Sequence, residues 1–116
     1  MIIYGNWMSK KILVEEHIGL EDKVQKSYTG DLDGVYGSIS MSKEKLLFIS
    51  EKGLIGKSYN LVLDLPYEKI KSLRTEGKSN LIIADVEGST HTFDSRELSI
   101  SIVDKALREI REQAQG

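Results

Sequence analysis

Residues 35–64, VYGSISMSKEKLLFISEKGLIGKSYNLVLD, decide how this chain folds. Val35, Ile39 and Met41 share one parity. Tyr59-x-Leu61-x-Leu63 alternates strictly, with Ser58, Asn60 and Asp64 on the other side. Successive side chains of a strand point to opposite faces, so a period of two marks a half-buried strand. Between these segments Leu46-Leu47-Phe48-Ile49 is a short continuous apolar run, the pattern of a strand covered on both faces.

The same grammar extends outward. Val24-x-x-x-Tyr28 precedes the segment, and a second apolar run, Leu81-Ile82-Ile83-Ala84, follows it. Asp33-Gly34, Lys52-Gly53, Glu76-Gly77 and Glu87-Gly88 supply turn chemistry between the runs. Pro66, the single proline, sits before Tyr67-Glu68-Lys69-Ile70, where its missing N–H disturbs no central ladder. The pattern predicts strands at about 23–29, 35–41, 45–50, 58–64, 69–75, 80–86 and 89–93. After Phe93 the period changes. Leu98, Ile102, Val103, Ala106, Leu107 and Ile110 are spaced by three and four, one stripe of an amphipathic helix over about 95–113. Asp104, Lys105, Arg108, Glu109, Arg111 and Glu112 fall on its wet side. Asp94 and Glu97 have the spacing of a capping box at its start. An Asp in place of Ile102 or Leu107 is expected to detach this helix. Residues 1–20 form a lead-in in which Ile12, Leu13, Ile18 and Leu20 favour a short helix over irregular chain, and residues 21–116 form the domain proper.

Seven antiparallel strands followed by one C-terminal helix is the element order of the pleckstrin-homology (PH) superfold. Gly37-Ser38-Ile39-Ser40-Met41-Ser42-Lys43-Glu44-Lys45-Leu46-Leu47-Phe48-Ile49 resembles the Gly-rich lead and following strand of the prokaryotic PH-like and GRAM domains. Leu65-Pro66-Tyr67-Glu68-Lys69-Ile70-Lys71-Ser72-Leu73 resembles a second motif of those families. The resemblance covers about residues 15–113. It implies a mainly β, PH-like barrel of seven strands capped by the helix, and a binding rather than a catalytic role. It also implies assembly through sheet edges, as suspected of similar domains.

Composition narrows the classes. The chain has 116 residues, enough for one domain at ~100–200 residues each. Hydrophobic residues make up 40% and charged residues 29%, a globular balance. A formal net charge of −2 offers no basic field for nucleic acid. The absence of cysteine excludes thiol catalysis, disulfides, zinc ribbons and iron–sulfur ligation. No apolar run approaches the ~20 residues that cross a bilayer, and the start lacks the pattern of a signal peptide. The expected location is therefore cytoplasmic, with peripheral contact to membrane as a variant. Met8 would serve as a start as well as Met1.

Motifs with a mechanism fail one by one. Gly53-Leu54-Ile55-Gly56-Lys57-Ser58 ends like a phosphate-binding loop, but Glu51 stands where the first Gly is needed and a strand follows instead of a helix. Asp31-Leu32-Asp33-Gly34 opens like a calcium loop, yet Tyr36 and Ser42 occupy the positions of its Gly and bidentate Glu. His17 and His91 are the only histidines, and His91 shares a strand face with Phe93, which suits a partly buried packing residue. Glu15-Glu16 and Glu21-Asp22 lie in polar chain. The chain is expected to be no enzyme, with no cofactor and no metal. Lys69, Lys71, Arg74 and Lys78 read as a solvated row that blunts an edge strand.

One segment invites a partner. Lys52, Leu54, Ile55 and Lys57 put two large apolar residues between glycines and two lysines on the shoulders. Such residues ordinarily fold back onto the rim of the sheet. Left projecting, they would dock on a protein partner, on a second copy, or on an anionic lipid surface. The first hairpin, with Asp31 and Asp33 at its tip, is acidic, and only Lys23, Lys26, Lys43 and Lys45 stand near it. That argues for a protein-interaction or self-association module ahead of a lipid binder.

Overall fold

The computed structural model describes residues 7–19, 21–96 and 98–115. Helix α1 (Trp7–His17) precedes strands β1 (Val24–Leu32), β2 (Val35–Ser42), β3 (Lys45–Lys52) and β4 (Ser58–Pro66). A single 3₁₀ turn (Tyr67–Lys69) leads into β5 (Ile70–Glu76), β6 (Asn80–Asp85), β7 (Thr90–Ser95) and helix α2 (Ile100–Gln115). All seven expected strands are present, and the lead-in carries a helix. The architecture is mainly β, a seven-stranded antiparallel sheet with a C-terminal helix. Its order is β4-β3-β2-β1-β7-β6-β5. β4 and β5 are thus the edges, and no ladder joins them among the described residues. Of the expected barrel, what the structure contains is a coiled sheet with one enclosed face.

The coil is set at β1. Its first residues pair only with β2, whereas Gly30, Asp31 and Leu32 pair with both β2 and β7. Gly30 faces Gly37 across the β1–β2 ladder, and both are buried. A Cβ on Gly30 would meet the Phe93 ring at 2.6 Å as well as the Asp94 carbonyl. A Cβ on Gly37 would overlap the Ile49 carbonyl oxygen and stand 2.8 Å from the Ser50 Cα. The missing side chains let β7 and β3 close in on either side. Phe48 of β3 and Phe93 of β7, three strands apart in the sheet, therefore meet edge to face at 6.3 Å. Around them Leu32, Ile39, Met41, Leu81 and Ile83 fill the inner core, and Val103 and Leu107 of α2 close it.

The alternation Tyr59-x-Leu61-x-Leu63 does not lie on one face. The β3–β4 register shifts between Phe48 and Ile49: Phe48 opposes Leu63, but Ile49 opposes Leu61. Val62 is the extra residue, so the strand changes faces there. Leu63 and Leu65 pack into the inner core, while Tyr59 and Leu61 join Leu47 and Ile49 in a second, outer cluster under Leu13 and Val14 of α1.

Helix α2 starts later than the capping-box spacing predicts. Asp94 and Ser95 belong to β7, and the Asp94 backbone is held in ladders with both β1 and β6. Ser99 is the cap: its Oγ accepts the Ser101 N–H (3.4 Å) and its carbonyl the Ile102 N–H (3.0 Å). Glu97 lies outside the described residues. Arg108 and Arg111 are not solely solvated, because their guanidinium groups donate to the carbonyls of Leu73 (2.6 Å) and Ile70 (3.1 Å) on edge strand β5. Lys69 sits in the 3₁₀ turn and Lys71 on β5, so they form no row on one strand face.

A polar knot joins three connections. The Asp22 carboxylate accepts the backbone N–H groups of Lys43 (2.7 Å), Lys23 (2.7 Å) and Glu44 (3.2 Å). Burial works to raise its pKa, but Ser42 and these three amides outweigh that and hold it below the ordinary carboxylate value. Tyr67, 1% exposed, donates its hydroxyl to the Ser42 carbonyl at 2.6 Å. Burial, and then the Asp22 charge, push its phenol well above the usual range.

Two outcomes follow from this packing. Gly37→Ala is expected to destabilise the fold by about 2 kcal/mol or more, because backbone and not a side-chain tip must yield. Gly19→Ala, with nothing within 4 Å, should be nearly neutral in the same urea titration. Leu107→Asp, at a fully buried position, should abolish cooperative unfolding, whereas Ile102→Asp, 47% exposed, should shift stability by only ~0.5 kcal/mol. Ile102 therefore does not clamp the helix as its spacing predicts.

Candidate functional site

The β3–β4 hairpin ends in Gly53-Leu54-Ile55-Gly56, with Gly53 at φ 103° and Gly56 at φ 66°. Both angles lie in the left-handed region, where a Cβ is strained, so glycine turns the chain out of β3 and back into β4. The turn does not fold onto the rim. Leu54 is 99% and Ile55 96% exposed, a correction to the ordinary expectation for such residues. Two physical reasons are visible. The outer face at the base of the hairpin is already covered by α1, and Tyr59 and Leu61 occupy the space there. The inner face is filled by Phe48, Leu63 and Leu65.

The two lysines differ. Lys57 Nζ lies 2.6 Å from Glu51 Oε1, and the hydrogen bond to Glu51 is the main reason its pKa is raised. Lys52 is exposed at the end of β3 and makes no ion pair among the described residues. The tip from residue 51 to 57 therefore carries two apolar side chains and one uncompensated positive charge. The sequence shows Glu51 only as the residue that breaks a phosphate-loop pattern; the β3–β4 register, which sets it opposite Tyr59, makes it the partner of Lys57.

A second polar cluster lies beyond the opposite end of β4. His91 is partly buried, as its strand position predicts, but its neighbours are carboxylates. Its Nε2 donates to Asp85 Oδ2 at 3.3 Å, and its Nδ1 lies 3.7 Å from Asp33 Oδ2. Asp85 Oδ1 accepts the N–H groups of Glu87 and Ser89, both at 3.0 Å, which closes the β6–β7 turn. The Ser89 amide leads in holding the Asp85 carboxyl below its ordinary pKa, against burial and with help from His91 and Glu87. Beside this cluster a cleft of about 340 Å³ runs between edge strand β4 and the β5–β6 side, lined by Leu63, Leu65, Lys69, Asp85, Val86 and His91. Among the described residues no group of three or more His, Cys, Asp or Glu is placed to hold a metal ion, and no helix is long and apolar enough to cross a membrane.

No family model matches the sequence, and a search of curated proteins found no match. Among solved structures the fold is similar to the C-terminal domain of an unknown protein from Leishmania infantum, with a TM-score of 0.57 and 13% identity. That match covers 82% of this chain and 86% of the other. It carries the shape alone: a mostly β domain, broadly PH-like, with a C-terminal helix.

The lowered pKa of Asp85 has a definite sign. Its contribution to stability is present above the unfolded carboxylate value of about 3.9 and is lost as pH falls through the lower folded value. Asp85→Asn should be less stable than the parent at neutral pH, and the difference in melting temperature should close below about pH 4. An unchanged difference at low pH would locate its role in shape, not in charge.

Proposed function

We propose that this chain is a non-catalytic interaction module of the PH-like and GRAM-like kind, which docks on a protein partner or a second copy through the tip of the β3–β4 hairpin. One observation carries the reading: Leu54 and Ile55 are almost fully exposed at the end of a hairpin whose base is anchored on both faces. Two large aliphatic side chains held in water by a defined backbone, and not scattered singly, are the signature of a contact point. Burying both would contribute roughly 3–6 kcal/mol. Association costs about as much or more in lost rigid-body freedom, so the tip acts as an anchor within a wider contact.

Charge favours a protein over a membrane. A basic segment near an anionic surface gains about 1 kcal/mol per lysine, and lipid-recognition clusters use ~4–8 of them. Here Glu51 neutralises Lys57 and leaves Lys52. Partner docking also suits the edges: β5 has two carbonyls occupied by Arg108 and Arg111, while β4, which continues directly from the tip, exposes Val62 at 48%.

The test is Leu54→Ser/Ile55→Ser. Because both positions are exposed, stability should move by no more than ~0.5 kcal/mol. Sedimentation equilibrium over a wide concentration range, and a photo-crosslinking residue at the exposed position 60 of β4 in native cells, should give a defined self- or partner adduct that the double variant loses. Flotation with anionic vesicles that depends on Leu54 and Ile55, with no protein adduct, would transfer the function to lipid. A monomer with neither adduct nor flotation would remove the tip from the function.

A further inference from the structure

The outward face of β1 and β2 is a patch of hydroxyls. Ser27 opposes Ser40, and Thr29 opposes Ser38. The first pair is satisfied, Oγ to Oγ at 3.2 Å. The second is not: Thr29 Oγ1 and Ser38 Oγ are buried and have no hydrogen-bond partner among the described residues, although Ser38 is only 3% exposed. Leaving a buried hydroxyl unpaired is costly, and two facing ones are rarely left so without something between them.

Something of a definite chemistry fits there. A cavity of about 210 Å³ includes this pair in its lining, together with Lys10 of α1, Ser27 and Tyr28 of β1, and Ser95 and Leu98 of the β7–α2 connection. It is open to solvent on one side and has room for a small hydrated anion. Ser95 is already engaged, its Oγ donating to the Leu98 carbonyl at 2.7 Å. The free donors are therefore Lys10 and the two hydroxyls. Lys10 makes no hydrogen bond or ion pair among the described residues, and burial lowers its pKa against the opposing pull of Glu51. The acidic side chains nearby have counter-ions of their own. Glu51 has Lys57 at 2.6 Å. Asp31, further along the same face and outside the cavity lining, has Arg96 on its Oδ2 at 3.1 Å, while its Oδ1 is buried without a partner among the described residues. A cation would be repelled by Lys10 and an apolar group would leave the hydroxyls unpaired, whereas an oxyanion satisfies all three donors.

We infer that the cavity between α1 and the outer face of β1–β2 is a binding site for a small oxyanion, a phosphate or carboxylate group, held by the Lys10 ammonium and the Thr29 and Ser38 hydroxyls. The site does not depend on what the hairpin tip binds. It links α1 to the sheet through a ligand in addition to Leu13 and Val14.

The full-length chain, labelled with nitrogen-15, would be titrated with inorganic phosphate and separately with acetate, at ionic strength held constant with chloride. The expected result is saturable amide shifts centred on Lys10, Thr29 and Ser38 with at least one of the two anions, which also identifies the group bound. Lys10→Met should weaken that binding by about tenfold or more, and Ser38→Ala by a smaller factor, with the spectrum reporting that each variant is folded. Lys105→Met, on the exposed side of α2, should leave it unchanged. Three results would overturn the proposal: no shift at these amides with either anion, non-saturating shifts spread over the surface lysines, or equal affinity in Lys10→Met. No shift would mean that the cavity holds water alone, whereas non-saturating shifts or equal affinity in Lys10→Met would mean that anions meet the surface without using this site.

Discussion

The whole arrangement hangs on two glycines that face each other. Gly30 and Gly37 leave the centre of the sheet without side chains at the point where β1 is shared between β2 and β7. Close approach of backbone and the Phe93 ring follows, and the sheet coils until Phe48 and Phe93 touch. A side chain at either position would hold the strands apart by more than the core can absorb, because interiors are packed nearly as densely as organic crystals. The enclosed core and the seat of α2 are both consequences of that closeness.

The bulge at Val62 is the second constraint, and it gives the β3–β4 hairpin its character. One additional residue moves the apolar side chains of β4 from the outer face to the inner one, so the hairpin is held by α1 just below the turn and by the inner core farther along β4. Held on both sides, it has no unfilled surface onto which Leu54 and Ile55 could collapse. Their exposure is thus a result of good packing below them. The glycines at 53 and 56 complete the geometry by reversing the chain without bringing the tip back to the sheet.

The acidic residues are largely committed to architecture. Asp22 fastens the connection after α1 to the β2–β3 turn, Asp85 closes the β6–β7 turn, and Glu51 and Asp31 pair with Lys57 and Arg96. Arg96 also lies 4.8 Å over the Tyr36 ring, so the end of the first hairpin is braced by a cation–π contact. Two groups without such duties stand apart from the ordinary solvated lysines and glutamates: an apolar tip with Lys52, and Lys10 near two unpaired hydroxyls. The recognition proposed at the tip and in the cavity rests on these groups because a paired group has little free energy to offer a ligand until its first partner is displaced.

Period-two alternation, apolar runs and Gly-containing turns determined the seven strands, and a three-and-four spacing determined the C-terminal helix, since both depend on which side chains share a face locally. The Lys52–Lys57 segment was legible for the same reason: apolar residues between glycines stand out from the polar pattern of a turn. Capping was misread because Asp94 carries a helix-start signal that two ladders override, and only pairing partners distant in sequence reveal them. Tertiary structure alone decided which face Leu61 and Leu63 occupy, where Arg108 and Arg111 reach, and that Leu54 and Ile55 remain in water. The hydroxyls at 27, 29, 38 and 40 are visible in the sequence as a period of two, but their meaning waits on the helix that carries Lys10 over them. Local sequence sets which side chains share a face; contact between elements far apart in the chain sets what that face meets.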